Sequence, residues 1–142
     1  MNQEKIFGSF IERNVRVIKR TYLRSFKDNN IDLTPEQWVL IDILSASDGM
    51  SQNDLAGKSF KDAPTTSRIL DLLSKKGFIA RKKEESDRRS FKVFLTDEGK
   101  ALHARGLPIV QELRSKGWQG LNDDDYDAFL RIMNRIFENF PT

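Results

Sequence analysis

Apolar side chains recur at three- and four-residue steps through Phe7, Ile11, Val15, Ile18, Tyr22 and Phe26. Ile6, Phe10 and Val17 widen the stripe, so the pattern predicts one long amphipathic helix, ended by Asp28-Asn29-Asn30. A second helix opens at Thr34, an N-cap followed by Pro35 at the first helical position and then by Glu36 and Gln37. Its apolar set is Trp38, Val39, Ile41, Ile43 and Leu44, and the loop 45–49 ends it. Ser51 caps a short third helix, with Asp54 three residues on, and turns Leu55 and Ala56 inward. Residues 62–76 form a fourth helix, entered through Asp62-Ala63-Pro64, with Ile69, Leu70, Leu72 and Leu73 toward the core. Gly77 stops it just after Lys75-Lys76, where cations suit the helix dipole.

The period then changes. Residues 78–83 and 91–95 have strand character, and the polar stretch 84–90 between them is a hairpin tip. Thr96 and Glu98 open a helix running to about Gly117, within which Pro108 predicts a kink or break. Asn122-Asp123-Asp124-Asp125 starts a last helix with the stripe Tyr126, Phe129, Leu130, Met133, Ile136, Phe137 and Phe140. The expected fold is mainly α with a small β-hairpin wing: a winged helix-turn-helix with helices at both ends. In that geometry the second helix of the pair enters the major groove and its first residues meet base edges. Here these are Lys61, Pro64, Thr65, Thr66, Ser67 and Arg68. Their hydroxyls suit phosphates or bases, and the arginine can grip guanine. The plainer alternative is that Thr65-Thr66-Ser67 decorate an exposed helix face.

Charge sharpens this picture. The 142 residues carry 24 Lys/Arg and 21 Asp/Glu, a net of +3. Residues 51–95 hold eleven of those cations against six acids, a surplus of five, while 1–50 are neutral and 96–142 are acidic. A surplus confined to one segment marks a surface for a polyanion, the alternative being a solvated face. Arg88 and Arg89 flank the hairpin turn, placed to reach a narrow minor groove, with Asp87 beside them to fix an arginine rotamer, the alternative being an ordinary charged turn. With 38% hydrophobic residues and ten Phe, the chain can build a core, and wholesale disorder is excluded. No apolar run approaches the roughly 20 residues of a spanning helix. The start Met1-Asn2-Gln3-Glu4-Lys5 lacks a secretory leader pattern, so a cytoplasmic location away from membranes is expected.

The quoted residues resemble the MarR (multiple antibiotic resistance regulator) family. The resemblance is carried by Leu33-Thr34-Pro35-Glu36-Gln37-Trp38, by Ser51-Gln52-Asn53-Asp54-Leu55-Ala56, and by Arg68 through Ile79. Its most specific piece is Ser86-Asp87-Arg88-Arg89-Ser90 running into Leu95-Thr96-Asp97-Glu98-Gly99. The resemblance implies a DNA-binding lobe over 32–98, dimerisation helices over 1–28 and 99–142, and a homodimeric transcriptional regulator, expected to be a repressor, on a palindromic operator. It makes Asp87 and Arg89 a wing salt-bridge pair and Arg89 the minor-groove arginine, with Gln52, Thr65, Thr66 and Arg68 at the DNA. Phe60-Lys61 departs from the small or aliphatic residues frequent at the end of the short helix.

Dimerisation is also expected from the residues, the alternative being a monomer that packs its own two ends together. Phe7, Phe10, Ile11, Phe129, Met133, Phe137 and Phe140 belong to the two ends, and stripes of that size are rarely left bare on a monomer. The family implies a small aromatic or anionic effector, for which Arg13, Arg16, Trp38 and His103 are the candidates; surface arginines, a core Trp and a hydrogen-bonded His are the alternatives. With no Cys and one His, thiol switching is excluded and catalysis finds few groups, so neither enzymatic activity nor a cofactor is expected. Asp123-Asp124-Asp125 and Asp127 read as a helix cap rather than a metal site. A winged-helix module that binds an acidic protein partner, without specific DNA binding, remains the alternative function.

Overall fold

Helix starts are set by polar side chains that accept otherwise orphaned backbone N–H groups. The computed structural model describes residues 4–86 and 90–141. Helix α1 spans Gly8–Asp28 and α2 spans Pro35–Ala46, the latter with a full capping box between Thr34 and Gln37. Strand β1 (Met50–Ser51) leads into α3 (Gln52–Lys58), where Ser51 Oγ accepts from Asp54 N at 3.1 Å. Helix α4 (Ala63–Lys75) follows, capped by Asp62, and then β2 (Ile79–Lys83) and β3 (Phe91–Leu95). Helix α5 is Asp97–Gly117 and α6 is Asp123–Glu138, opened by an Asn122–Asp125 capping box. The three strands form an antiparallel sheet in the order β1-β3-β2. The sequence predicts only the hairpin; the two-residue β1 is stitched to β3 by Met50↔Val93 and Ser51↔Lys92.

The chain forms two compact units, Met1–Val110 and Gln111–Thr142. In the first, Phe26, Leu33, Trp38, Leu40, Ile41, Leu44, Leu55, Leu70, Leu73, Val93 and Leu102 build one core. Its centre is an aromatic row. Phe26 lies 5.9 Å from Trp38, and His103 stacks on Trp38 at 5.0 Å with its ring 10° from the indole plane. Two glycines permit this packing. A Cβ on Gly106 would lie 2.5 Å from the Trp38 ring, and one on Gly99 would lie 2.1 Å from the Phe78 carbonyl oxygen. In the second unit, Trp118 meets Tyr126 and Phe129 edge-on at 5.1 and 5.5 Å. No helix among the described residues is long and apolar enough to cross a membrane.

Three sequence expectations need correction. Val39 and Leu72 point outward, and Leu40 takes the core position instead. A three- to four-residue period leaves the edge positions of each stripe undecided, and packing assigns them. Pro108 does not break α5, which runs unbroken from Asp97 to Gly117. Ala104, whose carbonyl loses its partner to the proline, and Pro108 itself are both exposed, so water can serve that carbonyl.

Candidate nucleic-acid interface

The first turn of α4 is held by Asp62. Its carboxylate accepts the Thr65 backbone N–H at 2.7 Å, and Pro64 sits where no N–H is needed. That backbone hydrogen bond, followed by the Thr65 side chain and the charge of Arg68, keeps Asp62 below the ordinary aspartate range. Pro64 and Arg68 are exposed, and Thr65, Ser67 and Lys61 half-buried, so one face of the α4 N-terminal half presents a ring of small polar groups and a guanidinium. Thr66 is the exception. It is wholly buried, with its hydroxyl donating to the Asp62 carbonyl at 2.9 Å, so the expectation that it meets DNA gives way to a role inside the helix pair. Gln52 opens α3, half-buried, and its Oε1 is a buried acceptor without a partner among the described residues.

The hairpin is anchored to α4. The Arg81 guanidinium pairs with Asp71 and lies 5.9 Å from the Phe91 ring centroid, which joins β2, β3 and α4 at one point. Glu84 N donates to Ser90 O at 3.0 Å and closes the last rung before the tip. Asp87, Arg88 and Arg89 lie outside the described residues.

Two cations that the sequence reading passed over are placed here. Lys82 and Lys92 stand directly opposite each other in the β2–β3 ladder, hence on the same face. Both are exposed, and Lys82 Nζ lies 5.4 Å from the Phe94 ring centroid. Like charges in that relation destabilise a sheet, and an anion lying over them removes the penalty. The signal was available, because a hairpin register follows from its two strands, but only once the strand ends are known.

Of the four effector candidates, Trp38 and His103 stack on each other, and Arg13 and Arg16 lie apart on α1. Arg13 and Arg16 lie exposed on α1, Arg13 with its guanidinium 5.3 Å from the Phe10 ring centroid. Arg16 borders an open groove of about 590 Å³ with Lys19 and Arg20. Trp38 is buried beneath His103 and Gly106 as a core residue. His103, mostly buried, has its Nε2 at 2.8 Å from Asp42 Oδ1 and borders a small cavity of about 140 Å³ with Asp48 and Lys100.

Comparison with known proteins agrees with this layout. Residues 33–91 match the model of the MarR family. The structure of the S. aureus MepR–DNA complex is similar with a TM-score of 0.82 and 23% identity, covering 96% of this chain and 100% of that one. The transcriptional repressor CouR, bound to a 23-mer DNA duplex, gives 0.78 at 27% identity over 95% of this chain and 99% of that one. The PcaV transcriptional regulator from Streptomyces coelicolor, in complex with its natural ligand, gives 0.77 at 20% identity, covering 97% and 98%. The match of residues 33–91 to the MarR family model, and a shared architecture over nearly the whole chain, show a winged helix-turn-helix fold similar to that of MarR-family regulators.

Proposed function

We propose that the protein is a homodimeric, sequence-specific double-stranded-DNA-binding regulator, a repressor that an effector releases from an inverted-repeat operator. The observation that carries this reading is the outer face of α4. Pro64, Thr65, Ser67 and Arg68 are displayed on a helix whose opposite face is locked into the core through Thr66, Ile69, Leu70 and Leu73. Such a helix is presented rigidly and offers groups that read major-groove edges. The exposed Lys82–Lys92 pair adds positive charge for phosphates on the hairpin, and the resemblance adds Arg89 in the minor groove. Dimerisation is supported by apolar surface on α1 and on α6, where Phe10 is 56% and Phe137 67% exposed. The effector reading is supported by the likeness to PcaV, with Arg13 and Arg16 as the exposed cations for an anion and His103 as a hydrogen-bonding group.

Selection of bound fragments from the source genome tests the reading. An enriched inverted repeat, bound with an affinity that falls steeply as salt rises, is the expected result. A stoichiometric protein complex with no duplex shifted would instead favour the protein-interaction module.

A further inference from the structure

Phe60, in the turn between α3 and α4, has two properties that rarely coincide. Its side chain is 97% exposed, and its backbone is left-handed, with φ at 59°. That region suits Gly or Asn, and a bulky residue there is strained. The conformation is imposed from both sides: Phe60 N donates to Gly57 O at 3.3 Å and Lys61 N to Ala56 O at 3.1 Å. Ser59 is tucked inward, its hydroxyl on Ala56 O at 3.1 Å, and the aromatic ring is turned out. The chain therefore accepts strain and bares a ring with no burial in return. Strain of this kind persists where function uses the residue.

The surroundings indicate what covers the ring. Lys58 is exposed, Lys61 is half-exposed, and Asp62 caps α4 directly afterward. A polyanion drawn to these two lysines meets the ring that lies between them in the chain. Phe60 precedes the helix cap, outside the α4 residues that face base edges, so it meets the wall of the groove. An apolar ring cannot bond phosphate, but it packs against deoxyribose. Resting on the duplex-binding reading, we propose that Phe60 is a sequence-independent contact to the sugar wall of the bound duplex.

The test uses the full chain with the selected operator and an unrelated duplex of equal length. Phe60→Gly keeps or raises Tm, because strain is relieved and nothing buried is lost. It weakens both duplexes by a similar factor, about tenfold. It leaves the slope of log affinity against log salt unchanged, because an uncharged contact releases no counterions. Phe60→Asn, which also tolerates this backbone, gives the same result and serves if the glycine variant misfolds. Unchanged affinity for both duplexes overturns the proposal, and Arg68→Ala losing operator affinity in the same assay shows that the duplex reading itself survives. Loss on the operator alone also overturns it, since the ring would then be reading bases. If the wild-type chain binds neither duplex, both readings fall together.

Discussion

Neighbouring hydroxyls on α4 show how finely one position divides roles. Thr65 and Thr66 are adjacent and chemically identical, yet Thr65 lies on the half-exposed face and Thr66 inside the helix pair. Thr66→Val removes a hydrogen bond to a carbonyl that the Thr66 backbone N–H also serves at 3.0 Å. We expect a loss of about 0.5–1 kcal/mol by denaturant unfolding, with operator affinity unchanged in the folded fraction. Arg68→Ala acts the other way, costing about 1–3 kcal/mol of operator binding with little change in unfolding. The identity of the cap at Asp62 was legible from Asp-Ala-Pro alone, because helix starts obey local chemistry. Which threonine faces out was not, because the sequence pattern does not set the rotation of α4 about its own axis to within one residue.

At the scale of elements, fixed contacts between helices and strands decide what can change. Gly99 at the start of α5 lies against the Phe78 backbone carbonyl, which cannot move aside as a flexible side chain would. Gly99→Ala is therefore expected to destabilise by about 1–3 kcal/mol or more, read as a lower midpoint in a urea titration. Lys19 on α1 pairs with Glu36 on α2 at 2.8 Å. Partial burial would raise the Glu36 pKa, but the hydrogen bond and charge of Lys19 outweigh it and hold the carboxyl below its ordinary range. Folding thus favours the ionised form. The contribution is complete above the ordinary glutamate pKa and is lost as pH falls through the lower folded value. Thermal scans between about pH 6 and about pH 3 should show Tm falling toward acid, less steeply for Glu36→Gln. On the sheet, Lys82→Ala or Lys92→Ala should lower the salt slope of duplex binding by about one each without lowering Tm. Element types and most ends were legible because capping residues and periodicity are local. Strand β1 was not: two residues carry no period, and only pairing with β3 makes Met50 and Ser51 a strand.

For the whole molecule, the exposed apolar faces of α1 and α6 support the proposed homodimer, and a charge placed on one of them should undo it. Phe137→Asp, on a residue 67% exposed, leaves each chain folded but shifts sedimentation toward monomers and removes most operator affinity, because a two-fold site needs both copies. An unchanged sedimentation profile would count against that face as the joint. The sequence by itself determined what depends on near neighbours along the chain: where helices begin, where the hairpin lies, and which segment holds the surplus of positive charge. These follow from backbone hydrogen bonding and side-chain period, which act within a few residues. The tertiary structure alone decided which hydroxyl of α4 is buried, that Trp38 is a core ring under His103, that Lys82 and Lys92 share one face, and that the Phe60 ring stands clear of the surface. Each of these depends on the rotation and register of packed elements, which contacts between residues distant in sequence settle.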